Sequence, residues 1–218
     1  MKLLPILPNK FTVCVSGGVD SIAAADFLSR KRKRDITLFY FNHGTEFADA
    51  MEKKVVAFAE FIRKPLVIGR TDKKLKTEDD FRQARLDYIY SSGWKSVVTA
   101  HHLDDAVESY LMNMFRGHYN WKVPIKPISK HTLHNGESLD ILHPFLLNPK
   151  KELINYARYN QLGHFIFEDP SNKISFCRRN FIRNELLPLL NQKHIVLNKI
   201  VKKQYLDYAA ENYKQRYS

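Results

Sequence analysis

A loop near the start of the chain combines residue types that bind phosphate. The stretch SGGVDS, residues 16–21, follows the short apolar segment FTVCV and precedes a helical segment. Two adjacent glycines let the backbone curl and bring its N–H groups close to an anion, and the positive end of the next helix points to the same place. Asp20 would repel a phosphate unless Mg²⁺ bridged the two. The alternative is an ordinary turn in which Asp20 caps the helix.

A second polar cluster follows a later apolar segment. In TAHHLDDAVES, residues 99–109, two histidines end a predicted strand, and three carboxylates follow at spacings of three and four that one helical face can carry. These groups could ligate a transition metal, cap the helix, or share a Mg²⁺ with the first loop. The residues are His101, His102, Asp104, Asp105 and Glu108.

The elements that carry both clusters alternate between strand and helix. This alternation predicts an α/β fold, a doubly wound parallel sheet with helices on both faces. Ligands of such sheets bind at the carboxyl ends of the strands, where both clusters are expected. The predicted strands are residues 11–15, 35–42, 65–69 and 95–100, and the predicted helices are residues 20–34, 46–64, 77–92 and 104–117.

The second part of the chain follows another pattern. Residues 118–147 contain prolines and little helical periodicity, and we predict an extended, irregular segment there. Helices are predicted over 149–162, 177–192 and 195–217, and Pro188 is expected to bend or end the second of them. We therefore expect an α/β domain over residues 1–147 and a helical C-terminal extension over residues 148–218.

Composition points to an anionic partner. The formal net charge is +12, which favours nucleic acid over a membrane. The two cysteines lie far apart, so a zinc or iron–sulfur site made of cysteine alone is excluded. No apolar run approaches the roughly 18 residues of a membrane span, and we expect a soluble, cytoplasmic protein without a membrane partner. The basic run 30–34 is either a solvated helix end or an RNA contact.

Several blocks together resemble one family. The SGGVDS loop resembles the SGGxDS loop of the N-type ATP pyrophosphatases, and AHHLDDAVES resembles the AHHxDDxxET block of the tRNA(Ile)-lysidine synthetase family within them. FYFNHGTEFADA, FRQARLDYI, LHPFL and FEDPSNKISFCRRNFIRNELLPLL are similar to further blocks of that family, in the same order. Ser109 stands where the family has Thr, and His143 stands where it has Arg. The resemblance spans residues 11–190.

The resemblance implies an enzyme with the adenine nucleotide alpha hydrolase-like PP-loop fold. Such an enzyme would use ATP and Mg²⁺ to adenylate O2 of the wobble cytidine in an isoleucine tRNA with a CAU anticodon. It would then ligate free lysine at C2, with AMP and pyrophosphate as products. The 148–218 extension is expected to contact the tRNA. Two alternatives stay open: another tRNA modification through the same adenylation, such as thiolation, and a non-catalytic RNA-binding protein with a relic nucleotide site.

The resemblance also implies roles for particular residues. The nucleotide-binding residues would be Ser16, Gly17, Gly18, Val19, Asp20, Ser21, Asn42, His43 and Gly44. The catalytic residues would be Asp20, Arg82, His102, Asp105, Glu108 and Arg179. Of these, Asp20 and Asp105 are the expected Mg²⁺ ligands. The histidine and the glutamate would position the cytosine or the amine, and the two arginines would offset negative charge on the α-phosphate and the RNA. The general base is either Asp104 or Glu108.

Overall fold

The chain folds around one six-stranded sheet in the part that the structure describes. A computed structural model of the protein describes residues 1–4, 7–31, 33–71, 78–118, 122–132, 136–167 and 178–213. The strands are β1 (Lys10–Cys14), β2 (Asp35–Asn42), β3 (Leu66–Arg70), β4 (Ser96–Val98), β5 (Ile128–Thr132) and β6 (Ser138–Leu142). The helices are α1 (Val19–Ser29), α2 (Ala48–Phe61), α3 (Glu78–Ser91), α4 (Leu103–Phe115), α5 (Lys150–Tyr159), α6 (Arg178–Phe181), α7 (Leu187–Gln192) and α8 (Leu197–Asn212). Within these ranges, none is both long and apolar enough to cross a membrane.

The order of the strands creates a switch point in the middle of the sheet. The strands lie side by side as β3-β2-β1-β4-β6-β5, and β1 pairs in parallel with both β2 and β4. The chain runs outward from β1 to β3 on one side, and it continues on the other side from β4. In open α/β sheets, a ligand crevice forms at the carboxyl ends of the strands beside such a point. Of the described strands, only β5 runs antiparallel to its neighbour.

Helices cover both faces of the sheet because side chains alternate along each strand. In β2, Leu38 and Tyr40 join an apolar cluster with α1, α2 and α5, whereas Phe39 and Phe41 join a second cluster with α3. An extended strand points successive side chains to opposite faces, so a strand buried on both faces is apolar throughout. The α/β fold class with C-terminal helices that the sequence predicts is therefore confirmed.

Helix α5 continues the core of the sheet. Leu153 and Ala157 of α5 belong to the same apolar cluster as α1, and the Tyr156 hydroxyl donates a 2.6 Å hydrogen bond to the carboxylate of buried Asp26 on α1. Arg30 binds the same carboxylate at 2.7 Å. These contacts fix α5 along α1. The domain boundary predicted at residue 147 stays a prediction.

Helix α8 docks through a buried tyrosine. Tyr205 and Val201 belong to a third apolar cluster with Leu103 and Val107 of α4. The Tyr205 hydroxyl donates to the carbonyl of Ile125 (2.9 Å) and accepts from its N–H (3.1 Å). Ile125 lies outside any helix or strand, so the tyrosine satisfies two backbone groups that would otherwise lack partners.

The helix predicted over residues 20–34 is shorter in the structure. It ends at Ser29. The chain has to reverse soon afterwards, because Asp35 already pairs with Lys10 in the sheet. The described residues of the basic run 30–34 therefore belong mainly to the connection between α1 and β2.

The prediction of an irregular segment over residues 118–147 is wrong in part, because β5 and β6 form within it. Strand β6 pairs in parallel with β4 and buries Leu139, Ile141 and Leu142. Its partner lies far earlier in the chain, so local periodicity carried no sign of the pairing. The prolines that suggested irregular structure lie outside both strands.

A π-helical turn carries the helix predicted over 177–192 through Pro188. The turn (Ile182–Leu186) joins α6 to α7, and the N–H of Leu187 donates to the carbonyl of Ile182, five residues earlier. Proline cannot donate to the carbonyl four residues before it, and its ring crowds that carbonyl. A wider turn relieves this crowding. The helix continues through Pro188 to Gln192, so of the two expected effects, bending or ending, the second is wrong.

Replacement of Tyr205 tests how α8 is anchored. Tyr205→Phe keeps the buried ring but leaves the N–H and the carbonyl of Ile125 without their partner. We expect the free energy of unfolding to fall by about 1–3 kcal/mol, measured by urea denaturation. Tyr159→Phe is the matched control, since Tyr159 is 87% exposed, and it should change stability little. Equal stability of the two variants would contradict the anchoring role.

Candidate active site

The carboxyl ends of four parallel strands meet at one edge of the sheet. Residues 15–18 follow β1, residues 43–44 follow β2, residues 99–102 follow β4, and His143 follows β6. The sequence clusters at 16–21 and 99–109 therefore lie at the switch point between β1 and β4. Their proximity follows from the topology alone, because strand order brings together segments that are distant in sequence.

Within the described residues, no side-chain hydrogen bond caps the N-terminus of α1. Its N-cap is Gly18, in an extended conformation. Asp20 lies inside the first turn of the helix, so the alternative in which Asp20 caps α1 is wrong. An N-terminus without a side-chain cap presents N–H groups and partial positive charge to whatever lies in front of it. This geometry suits an anion.

Two serines hold the shape of the loop. The Ser21 hydroxyl accepts from the N–H of Ser16 (3.1 Å) and donates to the carbonyl of Gly18 (3.0 Å). Gly17 adopts a φ of +83°, a conformation that other residues rarely take. The carbonyl of Gly17 accepts from the N–H of Phe167 (2.9 Å). The loop is thus fixed by its own hydrogen bonds before any ligand arrives.

His102 links the two clusters. Its Nε2 lies 3.6 Å from Asp20 Oδ2 and 3.5 Å from Asp105 Oδ2. His102 is also the N-cap of α4: its N–H donates to the Asp105 carboxylate (3.0 Å), and its Nδ1 accepts from the N–H of Asp105 (3.4 Å). His102 and Asp105 therefore cap α4, and a Mg²⁺ shared with the first loop stays a prediction. The same geometry gathers carboxylates from two separate loops around one imidazole.

The carboxylates around His102 favour its protonated form. Burial lowers the pKa of His102, but the hydrogen bond to Asp20 and the charges of Asp105, Asp20 and Asp104 outweigh this effect, so the pKa is raised. If Nδ1 were protonated, it could no longer accept the long hydrogen bond from the Asp105 N–H. It would instead be attracted to Asp104 Oδ2, 3.7 Å away. Burial raises the pKa of Asp20, but His102 and Lys150 outweigh it and the pKa is lowered. Both shifts favour an ion pair between His102 and Asp20.

Glu108 is clamped by two arginines from the C-terminal helices. Its side chain is only 2% exposed. Arg179 Nε donates to Oε2 (2.7 Å), and Arg183 donates to both oxygens (2.6 and 3.0 Å). Both guanidinium groups also lie near Asp105 Oδ1, at 3.7 and 3.8 Å. With both oxygens occupied, Glu108 is placed to hold Arg179 and Arg183 beside the site.

Neighbouring His101 lies in the opposite electrostatic environment. The Thr99 hydroxyl contacts Nδ1 of both His101 and His143 at 2.7 Å, and the two Nδ1 atoms lie 3.1 Å apart. Burial is the main cause that lowers the pKa of His101 and lowers that of His143 to about 3. One hydroxyl can donate to one ring and accept from the other, so this group is complete with two neutral imidazoles.

The residues after β2 form the other wall of the site. The Asn42 amide donates to Asp49 (2.9 Å) and Glu52 (2.8 Å), and its Oδ1 accepts from the N–H of Gly44 (2.9 Å). The His43 ring packs between two phenylalanine rings, with centroids 4.8 and 4.9 Å away. Burial, with a smaller effect of the Arg85 charge, lowers the pKa of His43 to about 4. This wall therefore combines the aromatic surroundings of His43 with the two carboxylates that hold Asn42.

The two arginines of α3 take different positions. Arg82 is exposed, and its charge contributes to the lowered pKa of His143. Arg85 is half-buried and acts on His43 and His101. Its Nε is buried and has no hydrogen-bond partner among the described residues. Arg85 is therefore the more buried of the two arginines, and its charge acts on two of the buried histidines.

Asp20 has an atom that suits a cation. Its Oδ1 is buried and has no hydrogen-bond partner within the described ranges, which is costly for a carboxylate unless a ligand completes it. Carboxylate oxygens are the ligands that Mg²⁺ prefers, so the donor set fits this ion. In the described residues, no three His, Cys, Asp or Glu side chains converge as a metal-binding group, and the transition-metal alternative has no support from the geometry.

Comparison with known proteins identifies this arrangement. Residues 3–190 match the PP-loop domain. The chain belongs to the PP-loop domain family. It is 31% identical over 202 residues to a tRNA(Ile)-lysidine synthase of Bdellovibrio bacteriovorus, covering 88% of this chain and 61% of that protein. It is also 31% identical over 202 residues to a tRNA(Ile)-lysidine synthase of Haemophilus ducreyi, covering 90% of this chain and 45% of that protein. The PP-loop chain thus spans about half the length of these curated relatives.

A solved structure agrees with the PP-loop fold. The U34-tRNA thiolase NcsA of Methanococcus maripaludis, with its [4Fe–4S] cluster, superposes with a TM-score of 0.70 at 18% identity, covering 93% of this chain and 73% of that one. At this identity, the likeness concerns the fold alone.

The sequence pattern did not point to Lys150 or Thr99. The Lys150 ammonium lies 3.4 Å from Asp20 Oδ2, and the Thr99 hydroxyl contacts His101 and His143. Arg183 follows Arg179 by four residues, so the helical pattern does place these two arginines on one face. The only signal for Lys150 was its place at the start of a predicted helix after Pro149, which does not indicate proximity to a loop 130 residues earlier. The predicted block FEDPSNKISFC lies mainly outside the described residues, as do Cys177, Lys214 and Arg216.

Neutralising Glu108 should loosen the C-terminal helices. Glu108→Gln keeps the shape but leaves two guanidinium groups without their counter-charge. We expect a loss of about 2–3 kcal/mol in the free energy of unfolding, below the value for a fully buried pair because the arginines are over a third exposed. Limited proteolysis should cut first within residues 178–213. The exposed Glu185→Gln on the same segment is the control, and an equal effect of both variants would contradict the clamp.

The buried neutral histidines should make stability depend on pH. A histidine whose pKa is lowered by folding contributes stability above about pH 6.5, and this contribution is lost as the pH falls toward the folded pKa. His143 alone should cost about 1.4 kcal/mol per pH unit between pH 6.5 and 5. His102, whose pKa is raised, contributes no loss in that window. His143→Asn should flatten the slope, whereas the exposed His164→Asn should not; unchanged slopes by urea denaturation would refute a buried neutral His143.

Proposed function

We propose that this protein ligates lysine to the wobble cytidine of an isoleucine tRNA with a CAU anticodon, in an ATP-dependent reaction. The carrying observation is the 31% identity over 202 residues to relatives named tRNA(Ile)-lysidine synthase. The site is consistent with this activity, because an anion-binding loop and a carboxylate cluster meet at the switch point of the sheet.

In the first step, the cytosine O2 attacks the α-phosphorus of ATP and pyrophosphate leaves. The backbone N–H groups of the 16–21 loop would bind the phosphates, and Asn42, His43 and Gly44 would form the adenine side. Asp20 and Asp105 would hold Mg²⁺, which would neutralise phosphate charge. In the second step, the lysine ε-amine attacks C2 and AMP leaves.

The charged residues can be given finer roles. His102 would keep Asp20 and Asp105 together until the metal and nucleotide bind. Glu108 is buried and paired with two guanidinium groups. The Asp104 side chain is 35% exposed and accepts hydrogen bonds from the Lys150 N–H and, at 3.5 Å, from Asn198, so Asp104 is the better candidate for the base that takes the proton of the lysine ammonium. Arg179, held by Glu108, would face the α-phosphate, and Arg82, which is exposed, would face the RNA.

The basic surface suits a tRNA partner. The net charge is +12, and the C-terminal helices carry exposed Arg178, Lys193, Lys199 and Lys203. Such side chains contact phosphates without reading sequence. We therefore propose that residues 178–213 lie along the tRNA backbone, and that the protein acts in the cytoplasm, where charged and uncharged tRNA, ATP and lysine coexist.

The decisive assay combines the purified chain, ATP, Mg²⁺, labelled lysine and unmodified isoleucine tRNA with a CAU anticodon. Label that survives mild alkaline deacylation on this tRNA, and not on methionine tRNA, is the expected result. Asp20→Asn should lower the rate about 100-fold or more while the circular dichroism spectrum stays unchanged, and the exposed Asp207→Asn is the control. Pyrophosphate release with tRNA but without label would move the proposal to another nucleophile. If that nucleophile were sulfur, as in thiolation, this chain could not hold an iron–sulfur cluster through four cysteines of its own, because it has two.

A further inference from the structure

The loop at 16–21 lacks the lysine that many phosphate loops contain, but the fold brings one to it from another element. Lys150 is the first residue of α5. Its Nζ lies 3.4 Å from Asp20 Oδ2, and both side chains keep some exposure, at 39% and 28%. An ammonium group therefore stands at the open side of the loop, next to the carboxylate that suits a cation.

The position of Lys150 is fixed by contacts at both ends of α5. Its N–H donates to Asp104 Oδ2 at 2.6 Å, so the start of α5 is held on the first turn of α4. Further along the helix, Tyr156 donates to Asp26 of α1 at 2.6 Å. The backbone of Lys150 is thus held on the first turn of α4, and its partly exposed side chain carries the ammonium group to Asp20.

The stability gained from the ion pair between Lys150 and Asp20 does not explain why Lys150 is held beside the loop. A partly exposed pair contributes about 0–1 kcal/mol, and Asp20 Oδ2 already faces His102 at 3.6 Å. In a site for Mg²⁺ and phosphate, the carboxylate would turn to the metal, and the ammonium would lose its partner beside a highly charged anion.

We propose that Lys150 binds the β- and γ-phosphates of the nucleotide held by the 16–21 loop and remains on the pyrophosphate as it leaves. This inference rests on the proposed function in one respect, the use of ATP. When the bond from the α-phosphorus to the bridging oxygen breaks, the electron pair stays on the pyrophosphate, and the ammonium stabilises that growing charge. The step needs no proton transfer from Lys150.

Isothermal titration calorimetry of the full chain tests the inference without tRNA or lysine. Inorganic pyrophosphate, ATP and AMP are titrated in the presence of Mg²⁺. Lys150→Gln should weaken binding of pyrophosphate and ATP by about 10- to 100-fold and leave AMP binding unchanged. Lys150→Arg should keep most of the affinity. The control is Lys151→Gln, the same charge change on the next, exposed residue, and it should bind all three ligands like the parent.

The outcomes separate this inference from the proposed function. If Lys150→Gln binds pyrophosphate as tightly as Lys151→Gln does, the role of Lys150 is overturned, while label transfer by the parent protein would still support lysine ligation. An equal loss for AMP and pyrophosphate would mean a general disturbance of the site and would also overturn it. Failure of the parent chain to bind either ATP or pyrophosphate would overturn both proposals. If Lys150→Gln lost affinity for pyrophosphate and ATP alone, but the parent transferred no label, the role of Lys150 would be supported. Lysine as the attacking nucleophile would then be refuted.

Discussion

The contact between His102 and two carboxylates is the constraint on which the rest of the site depends. Asp20 comes from the unit that begins at β1, and Asp105 comes from the unit that begins at β4. Both carboxylates are largely shielded from water, and charges in such positions need close partners of opposite sign. The imidazole supplies one partner and caps α4 with the same ring. This charged contact therefore connects the first turn of α1, which follows β1, with the first turn of α4, which follows β4.

The carboxylates around His102 carry more negative charge than the imidazole can balance. Residues that are distant in sequence supply the remaining positive charge. Asp104, Asp105 and Glu108 lie within two turns of α4, and no lysine or arginine stands beside them in sequence. The balancing charges come from α5 and from the segment at 178–183. Packing of these C-terminal elements is thus partly an electrostatic requirement of the strand ends. The π-helical turn accommodates Pro188 and joins α7 to α6, which carries Arg179.

Much of the fold could be predicted because most of its strands have a clear local sequence pattern. Residues 35–42 are apolar on both faces, so their pattern is continuous and their bounds are unambiguous. Strand β6 could not be found in that way, since only pairing with β4 reveals it. The same limit applies to the site. Glycines, histidines and carboxylates at the ends of predicted strands indicated two parts of the site, whereas Lys150 reaches it through helix packing. Spacing along the chain carries no information about contacts of that kind.

The adjacent histidines show how one short segment can supply two kinds of group. His101 turns to Thr99 and His143, where burial keeps both rings neutral. His102 turns to the carboxylates, where its proton is held. One residue of displacement at a strand end is enough for this difference, because successive side chains leave an extended backbone in opposite directions. The positive charge near the two loops, among the described residues, comes from His102, Lys150, Arg179 and Arg183, and the charge of Arg85 acts on His43 and His101. These cations belong to several different elements, so the electrostatics of the strand ends depend on how the helices pack around them.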